Sequence, residues 1–283
     1  MSDVIEIFGK STGLRRQANW KAIVSREWCP YLDRKCIKVR KSRPDTSIGT
    51  CSVLYGREKR PIIICPFRLL ERRQIFIDCL HLLSLHEPGN ELHIVPEMSV
   101  PGGSVDYFIA SAYDRKVIDF VGVELQTVDT TGTVWPARQR CLQDMGVDVV
   151  AKEAESSKTY GMNWKMTAKT TLIQLHHKVR TFEDLGKHLV LVIQDRLLDY
   201  LRGQFQFSHL KAARTGHPMH FHSYEIGRQS GGSYRLALHE RLSTDSAGIA
   251  TCLGLQADSN VELGRIIQQL EAKISETTLF RLT

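Results

Sequence analysis

The stretch Ser104–Thr127, SVDYFIASAYDRKVIDFVGVELQT, decides how the rest of the chain is read. It reads as two β-strands joined by a tight polar turn, Tyr113-Asp114-Arg115-Lys116. Side chains alternate across a strand, so Glu124 and Gln126 share one face. With the turn centred on Arg115, an antiparallel register sets Asp106 opposite Glu124. Directly opposed residues hold their Cβ atoms roughly 5 Å apart. Two carboxylates side by side amid Val, Ile and Phe repel one another unless a cation sits between them. A hard divalent metal ion, which prefers oxygen ligands, is the obvious cation. The hairpin is therefore expected to be a magnesium-dependent nuclease site with Asp106 and Glu124 as metal ligands.

Metal-assisted phosphodiester hydrolysis also calls for a polar group two residues after the Glu, to orient water or phosphate. In most such sites that residue is lysine, and here it is Gln126. Gln places a nucleophile by hydrogen bonding but brings no charge. Lys165, from the following helix, is a candidate for the missing cation. Gly122 shares the face of Glu124 and is expected to leave open space for a substrate backbone. The spacing D-x17-E-x-Q recurs by chance, and a solvated strand face is the plain alternative. The apolar neighbours argue against full solvation, because a buried carboxylate needs a partner.

The 283 residues, 42% of them hydrophobic, suffice for a sizeable core. A formal charge of +7 and a pI near 9.0 favour a polyanionic partner. The N-terminus MSDVIEIFGKST lacks the basic and apolar regions of a secretory signal. No apolar run approaches the roughly 20 residues that span a bilayer. A soluble, cytoplasmic protein without a membrane partner is expected. In that compartment the seven cysteines are thiols or metal ligands rather than disulfides.

Four of them, Cys29, Cys36, Cys51 and Cys65, are spaced C-x6-C-x14-C-x13-C. Arg34, Lys35, Lys38, Arg40, Lys41 and Arg43 run between them. Nearby positive charge favours the thiolate, and four thiolates suit zinc or iron. Ordinary core cysteines beneath a solvated basic face are the alternative. Residues 67–86 carry apolar residues at helical spacing, with Cys79 on the core side. A strand over Glu91–Val100 and a Pro101-Gly102-Gly103 turn lead into the hairpin. Asn163 is placed to cap a helix over Trp164–Val179, and His188–Ile193 reads as a strand buried on both faces. The order αβββαβ predicts a mixed α/β core.

After Tyr200 the pattern becomes irregular. His217, His220 and His222 invite a metal reading, although alternating His on a strand equally suits phosphate contacts or plain surface. Tyr234–Leu242 reads as a strand, and Ser259-x-x-Glu262 as the capping box of a helix to about Ile274. Three regions result: a cysteine module at 1–66, a core at 67–200, and a recognition or dimerisation segment at 201–283.

The four-cysteine module, Pro96-Glu97, Pro101-Gly-Gly, Val105-Asp106-Tyr107, Glu124-Leu-Gln126 and Asn163-Trp-Lys-Met follow in an order that resembles the NotI-like type II restriction endonucleases. The resemblance spans most of residues 29–195 and fades after about 200. It implies a PD-(D/E)xK nuclease core, a mixed central sheet flanked by helices, with the rarer E-x-Q ending. It implies a homodimer that cuts double-stranded DNA with Mg2+ at a GC-rich palindrome and leaves 5′-phosphates. It further implies a cognate DNA methyltransferase in the same cell. Asp106 and Glu124 carry over as Mg2+ ligands, Gln126 as the residue in the lysine's place, and Glu97 as a further acidic group. Cys29, Cys36, Cys51 and Cys65 carry over as ligands of a structural iron, with zinc chemically open. Base contacts are expected from Arg138, Arg140, Arg214, His220 and Arg228. A structure-selective repair nuclease, or a non-catalytic four-cysteine DNA-binding protein, are the alternatives.

Overall fold

The computed structural model describes residues 3–14 and 18–255, together with 267–268 and 271–273. The helix expected from Ser259 to about Ile274 lies almost wholly outside them. Strands β1 (Val4–Ile7) and β2 (Lys10–Ser11) precede helix α1 (Trp20–Arg26) and strands β3 (Thr50–Tyr55) and β4 (Arg60–Ile63). The four strands form one sheet in the order β2-β1-β3-β4. Then come β5 (Glu91–Val100), β6 (Gly103–Tyr113), β7 (Lys116–Gln126), α2 (Trp135–Gln143), α3 (Trp164–Asp184), β8 (His188–Gln194) and α4 (Asp195–Gln204). The described chain ends with β9 (Lys211–Ala212), β10 (Met219–Arg228), β11 (Tyr234–Thr244) and α5 (Ser246–Cys252).

The main sheet has seven strands in the order β9-β11-β10-β8-β7-β6-β5. Strands β5, β6 and β7 run antiparallel, while β8 is parallel to both β7 and β10. Parallel neighbours need a crossover, and α3 supplies it between β7 and β8. The expected mixed α/β architecture is what the chain adopts. Strand β8 is the most apolar, LVLVI, and its interior is buried on both faces. On one face Leu189, Leu191 and Ile193 pack with Leu172, Leu175, Val179 and Phe182 of α3. On the other, Val190 and Val192 pack with Leu69, Ile75, Phe76 and Cys79. Among the described residues, no helix is long and apolar enough to cross a membrane.

Three local expectations change. Residues 67–86 do not form one helix. Arg72 and Arg73 sit at φ 54° and 58°, which breaks the segment into short 3-10 and α turns. Glu71, at the break, accepts from Leu236 N and pairs with Arg68, which fixes the kink against β11. Asn163 stands at the start of α3, but its side chain makes no capping bond there. The position drawn as a boundary at residue 200 falls inside α4, and the strands beyond it continue the main sheet.

The two sheets are joined by a buried ion pair. Arg68 Nε donates to Glu6 Oε2 at 2.8 Å, and Arg68 Nη2 donates to Tyr234 O at 3.1 Å. Arg68 is fully buried and Glu6 nearly so. Removing one partner of such a pair strands the other as a buried charge, at about 3–5 kcal/mol. Arg68→Ala should lower unfolding free energy by about that much in urea. The double variant Glu6→Gln/Arg68→Met should recover most of the loss.

Candidate active site

The hairpin owes its register to two local features. Asp114 and Arg115 both take left-handed backbones, φ 47° and 60°, which is the two-residue turn that matches strand twist. Tyr113 pairs with Lys116 and Ala112 with Val117, and then Ser111 pairs with Asp119. Ile118 is thus an extra residue, a bulge on β7. Beyond it the register runs to Tyr107 with Val123; continued one step it sets Asp106 opposite Glu124, and the Leu125 amide donates to Asp106 Oδ2. Without the bulge Asp106 would meet Val123. The expected opposition of the two carboxylates is therefore present, set by the bulge as well as by the turn.

On the other side of β6, Val105 pairs with Met98 and Tyr107 with Pro96, which brings Glu97 beside Asp106. Three acidic residues, Glu97, Asp106 and Glu124, thus line up across β5, β6 and β7. Glu97 holds a positive φ of 26° inside a strand, a strained backbone of the kind that collects at functional sites.

Lys178 of α3 answers this row of charge. Its Nζ lies 2.5 Å from Glu124 Oε1, and its side chain is 8% exposed against 14% for Glu124. Burial pushes the Glu124 carboxyl up to about 6, with Lys178 pulling down and Asp106 pushing up. Asp106 is open to solvent on one side, yet the protein packed around it still raises its pKa. The Leu125 amide, which donates to Asp106 Oδ2 at 2.8 Å, and Lys178 work against that rise, while Glu97 adds to it.

Lys165 does not reach the carboxylates. It is exposed in the first turn of α3, thirteen residues from Lys178, which is about 20 Å along a helix. Sequence reasoning missed Lys178, though the signal was there. It falls at helical spacing with Thr171 and Leu175 on the buried stripe of α3, where an unpaired lysine is not expected. Gln126 shares a narrow crevice with Glu124, Thr171, Gln174 and Lys178, and its Nε2 donates to Thr127 O at 2.7 Å. Gly122 leaves no space for substrate: a Cβ there would lie 2.6 Å from Phe182 Cζ.

Cys29, Cys36, Cys51 and Cys65 are all buried, in or beside the short ribbons and strands of the N-terminal sheet. The basic residues between them do not make ready thiolates. Burial pushes the thiols of Cys29, Cys51 and Cys65 up, and neighbouring cysteines raise them further. Arg34 and Lys38 only partly oppose this, at Cys29 and Cys65 respectively.

Three of the proposed base-reading residues are exposed: Arg140, Arg214 and Arg228. Two are not. Arg138 is 3% exposed and stacks on Trp135, with its guanidinium carbon 4.5 Å from the ring centroid; Arg40 packs on the same ring at 4.2 Å. His220 and His222 are fully buried, and burial lowers them to about 4 and about 3. His217 bonds Ser243 Oγ through Nδ1, and His222 Nδ1 lies 3.6 Å from Cys79 Sγ.

Among the described residues, no three His, Cys, Asp or Glu side chains stand close enough together to hold a metal ion. In the carboxylate row the reason is visible, since Glu124 is turned to Lys178 and Asp106 to the Leu125 amide. The donor set of that row, all carboxylate oxygen, fits a hard divalent ion. Four thiols are the donor type that zinc or iron takes, but Cys29, Cys36, Cys51 and Cys65 do not stand gathered as a ligand set here. No protein-family model matches the chain, and no curated protein matches it.

A raised folded pKa fixes the sign of the pH effect. The stability gained from a protonated Glu124 is full below the ordinary 4.5 and is lost as pH rises through about 6. Carboxyl 13C titration should place the Glu124 midpoint near 6, and Lys178→Met should move it upward because the cation that opposes the rise is gone.

Proposed function

We propose that this chain is a type II restriction endonuclease, a Mg2+-dependent hydrolase of double-stranded DNA. The observation that carries the reading is the row Glu97, Asp106 and Glu124 on three adjacent antiparallel strands. The third of these strands passes through a crossover helix into a parallel buried strand. A binding module gains nothing from gathering carboxylates beside a phosphate, which repels them. A hydrolytic site needs them to hold a cation.

In this reading Asp106 and Glu124 bind Mg2+, with Glu97 as a further acidic group at the rim. Bound there, Mg2+ would lower the pKa of a water and neutralise charge building on phosphorus. Gln126 orients by hydrogen bonding. The water oxygen bonds to phosphorus as the bond to the 3′ oxygen breaks. The electron pair leaves with that oxygen, which takes up a proton from solvent while the water gives one to solvent. A 5′-phosphate and a 3′-hydroxyl result.

A homodimer reading a short GC-rich palindrome follows from the resemblance, because two-fold symmetric protein surfaces match two-fold symmetric sequence. Arg140, Arg214 and Arg228, all exposed, are the arginines assigned to DNA in this reading, arginine being the usual reader of guanine. Cys29, Cys36, Cys51 and Cys65 are assigned to a structural iron or zinc. A methyltransferase protecting the host's own sites completes the system.

Digestion of a plasmid of known sequence with Mg2+, followed by end sequencing, tests the reading. Expected are discrete fragments from one palindrome with 5′-phosphate ends. Preference for branched or mismatched DNA would favour a repair nuclease, and binding without scission a regulator. Glu124→Ala should abolish cutting while leaving a folded, DNA-binding chain. At limiting Mg2+ the rate should fall as pH drops below about 6, since protons then compete for Glu124. Elemental analysis should find one iron or one zinc per chain, lost in Cys51→Ser.

A further inference from the structure

On β7 the nearest cation to Glu124 is Lys116, at the turn end of the strand eight residues away. Gln126, two residues on, is neutral, and its amide is bonded to Thr127 O. The row of three carboxylates is met instead by one ammonium, from Lys178 on α3. That lysine bears on more than Glu124, since its charge also lowers the pKa of Asp106.

Lys178 is held in place by the turn that links the acidic strands. Pro101-Gly102-Gly103 joins β5, which carries Glu97, to β6, which carries Asp106. Thr181 Oγ1 donates to Pro101 O at 3.1 Å. Gly102 lies so close to α3 that a Cβ there would be 2.2 Å from His177 O, and one on Gly103 would be 3.0 Å from Lys178 Cε. Both glycines take positive φ, 92° and 139°. The turn thus presses on the lysine stem and aims the ammonium at the carboxylates. The lysine is a built part of the row rather than a surface side chain that folds over it.

We propose that Lys178 is the catalytic cation of this site, carried on the crossover helix because beside Glu124 the strand offers only the neutral Gln126. With no metal present it neutralises Glu124. Were Glu124 and Asp106 to hold a divalent ion, the Lys178 ammonium would be free to contact a non-bridging oxygen of the scissile phosphate and to stabilise the charge that develops there. Gly102, Gly103 and Thr181 act as positioning residues for it. The assignment rests on the nuclease reading.

Two measurements on the full chain separate this role from the simpler ones. The first is calorimetric titration with Mg2+ in the absence of DNA. The second is single-turnover cleavage of plasmid at saturating Mg2+. In Lys178→Met the competitor for Glu124 is gone, so Mg2+ should bind as tightly as in the wild type or several-fold tighter. Loss of one preorganised positive group should nonetheless slow cleavage by about a hundredfold or more. Lys178→Arg should bind Mg2+ like the wild type and recover part of the rate. It also carries the comparison should the Met variant fail to fold.

Binding and rate falling together in both variants would mean that Lys178 only supports the fold. Binding and rate rising together would mean that it only competes with the metal. Either outcome overturns the assignment, as does equal cutting by the wild type and Lys178→Met. A wild-type chain that binds Mg2+ but cuts no DNA overturns the nuclease reading itself, and the catalytic assignment with it.

Discussion

Strand pairing has a period of two, so a slip of one residue turns every side chain to the opposite face. The β6–β7 hairpin lives under that constraint. Its turn, counted from Tyr113 and Lys116, would lead to Asp106 facing Val123. The single extra residue at Ile118 corrects the count and sets carboxylate against carboxylate. Everything at the site follows from that correction. Glu124 faces α3, Lys178 finds an acid to pair with, and the third acid on β5 falls beside Asp106.

The crossover helix then works twice. It lets β8 lie parallel to β7, which builds the sheet's buried centre. It also returns a charge to the place where the sheet most needs one. Phe182 fills the space over Gly122 one turn beyond Lys178, so the same helix closes the apolar side of the crevice and neutralises its polar side. Burial of Glu124 and its neighbourhood is what raises the carboxyl toward neutrality.

Much of this was legible in the chain because it is local. Alternation gave the hairpin strands, the apolar run gave β8, and opposed Asp and Glu gave the need for a cation. What was not legible depends on distant contacts. The break at Arg72 and Arg73 reflects Glu71 bonding to Leu236, a partner 165 residues away. Lys165 is the lysine the sequence points to and Lys178 passes unremarked, because helical charge reads as solvated by default and only packing reveals that Lys178 is turned inward. Arg138 and His220 belong to residue types that usually read DNA, yet packing against Trp135 and within the sheet removes them from the surface. The basic residues around the cysteines suggest metal-binding thiolates, but burial pushes the thiols of Cys29, Cys51 and Cys65 up more than that charge brings them down.

The Arg68–Glu6 bridge reaches further than its two side chains. Arg68 also binds Tyr234 O, Glu71 binds Leu236 N, and Ser11 Oγ donates to Gly232 O at 2.7 Å. The first dozen residues are thereby fastened to a hairpin more than two hundred positions later, with the carboxylate row folded between. Such closure makes the stretch from β1 to β11 a ring in mechanical terms. A fragment cut to the central strands alone would carry the site's residues without the clasp that holds the sheet around them.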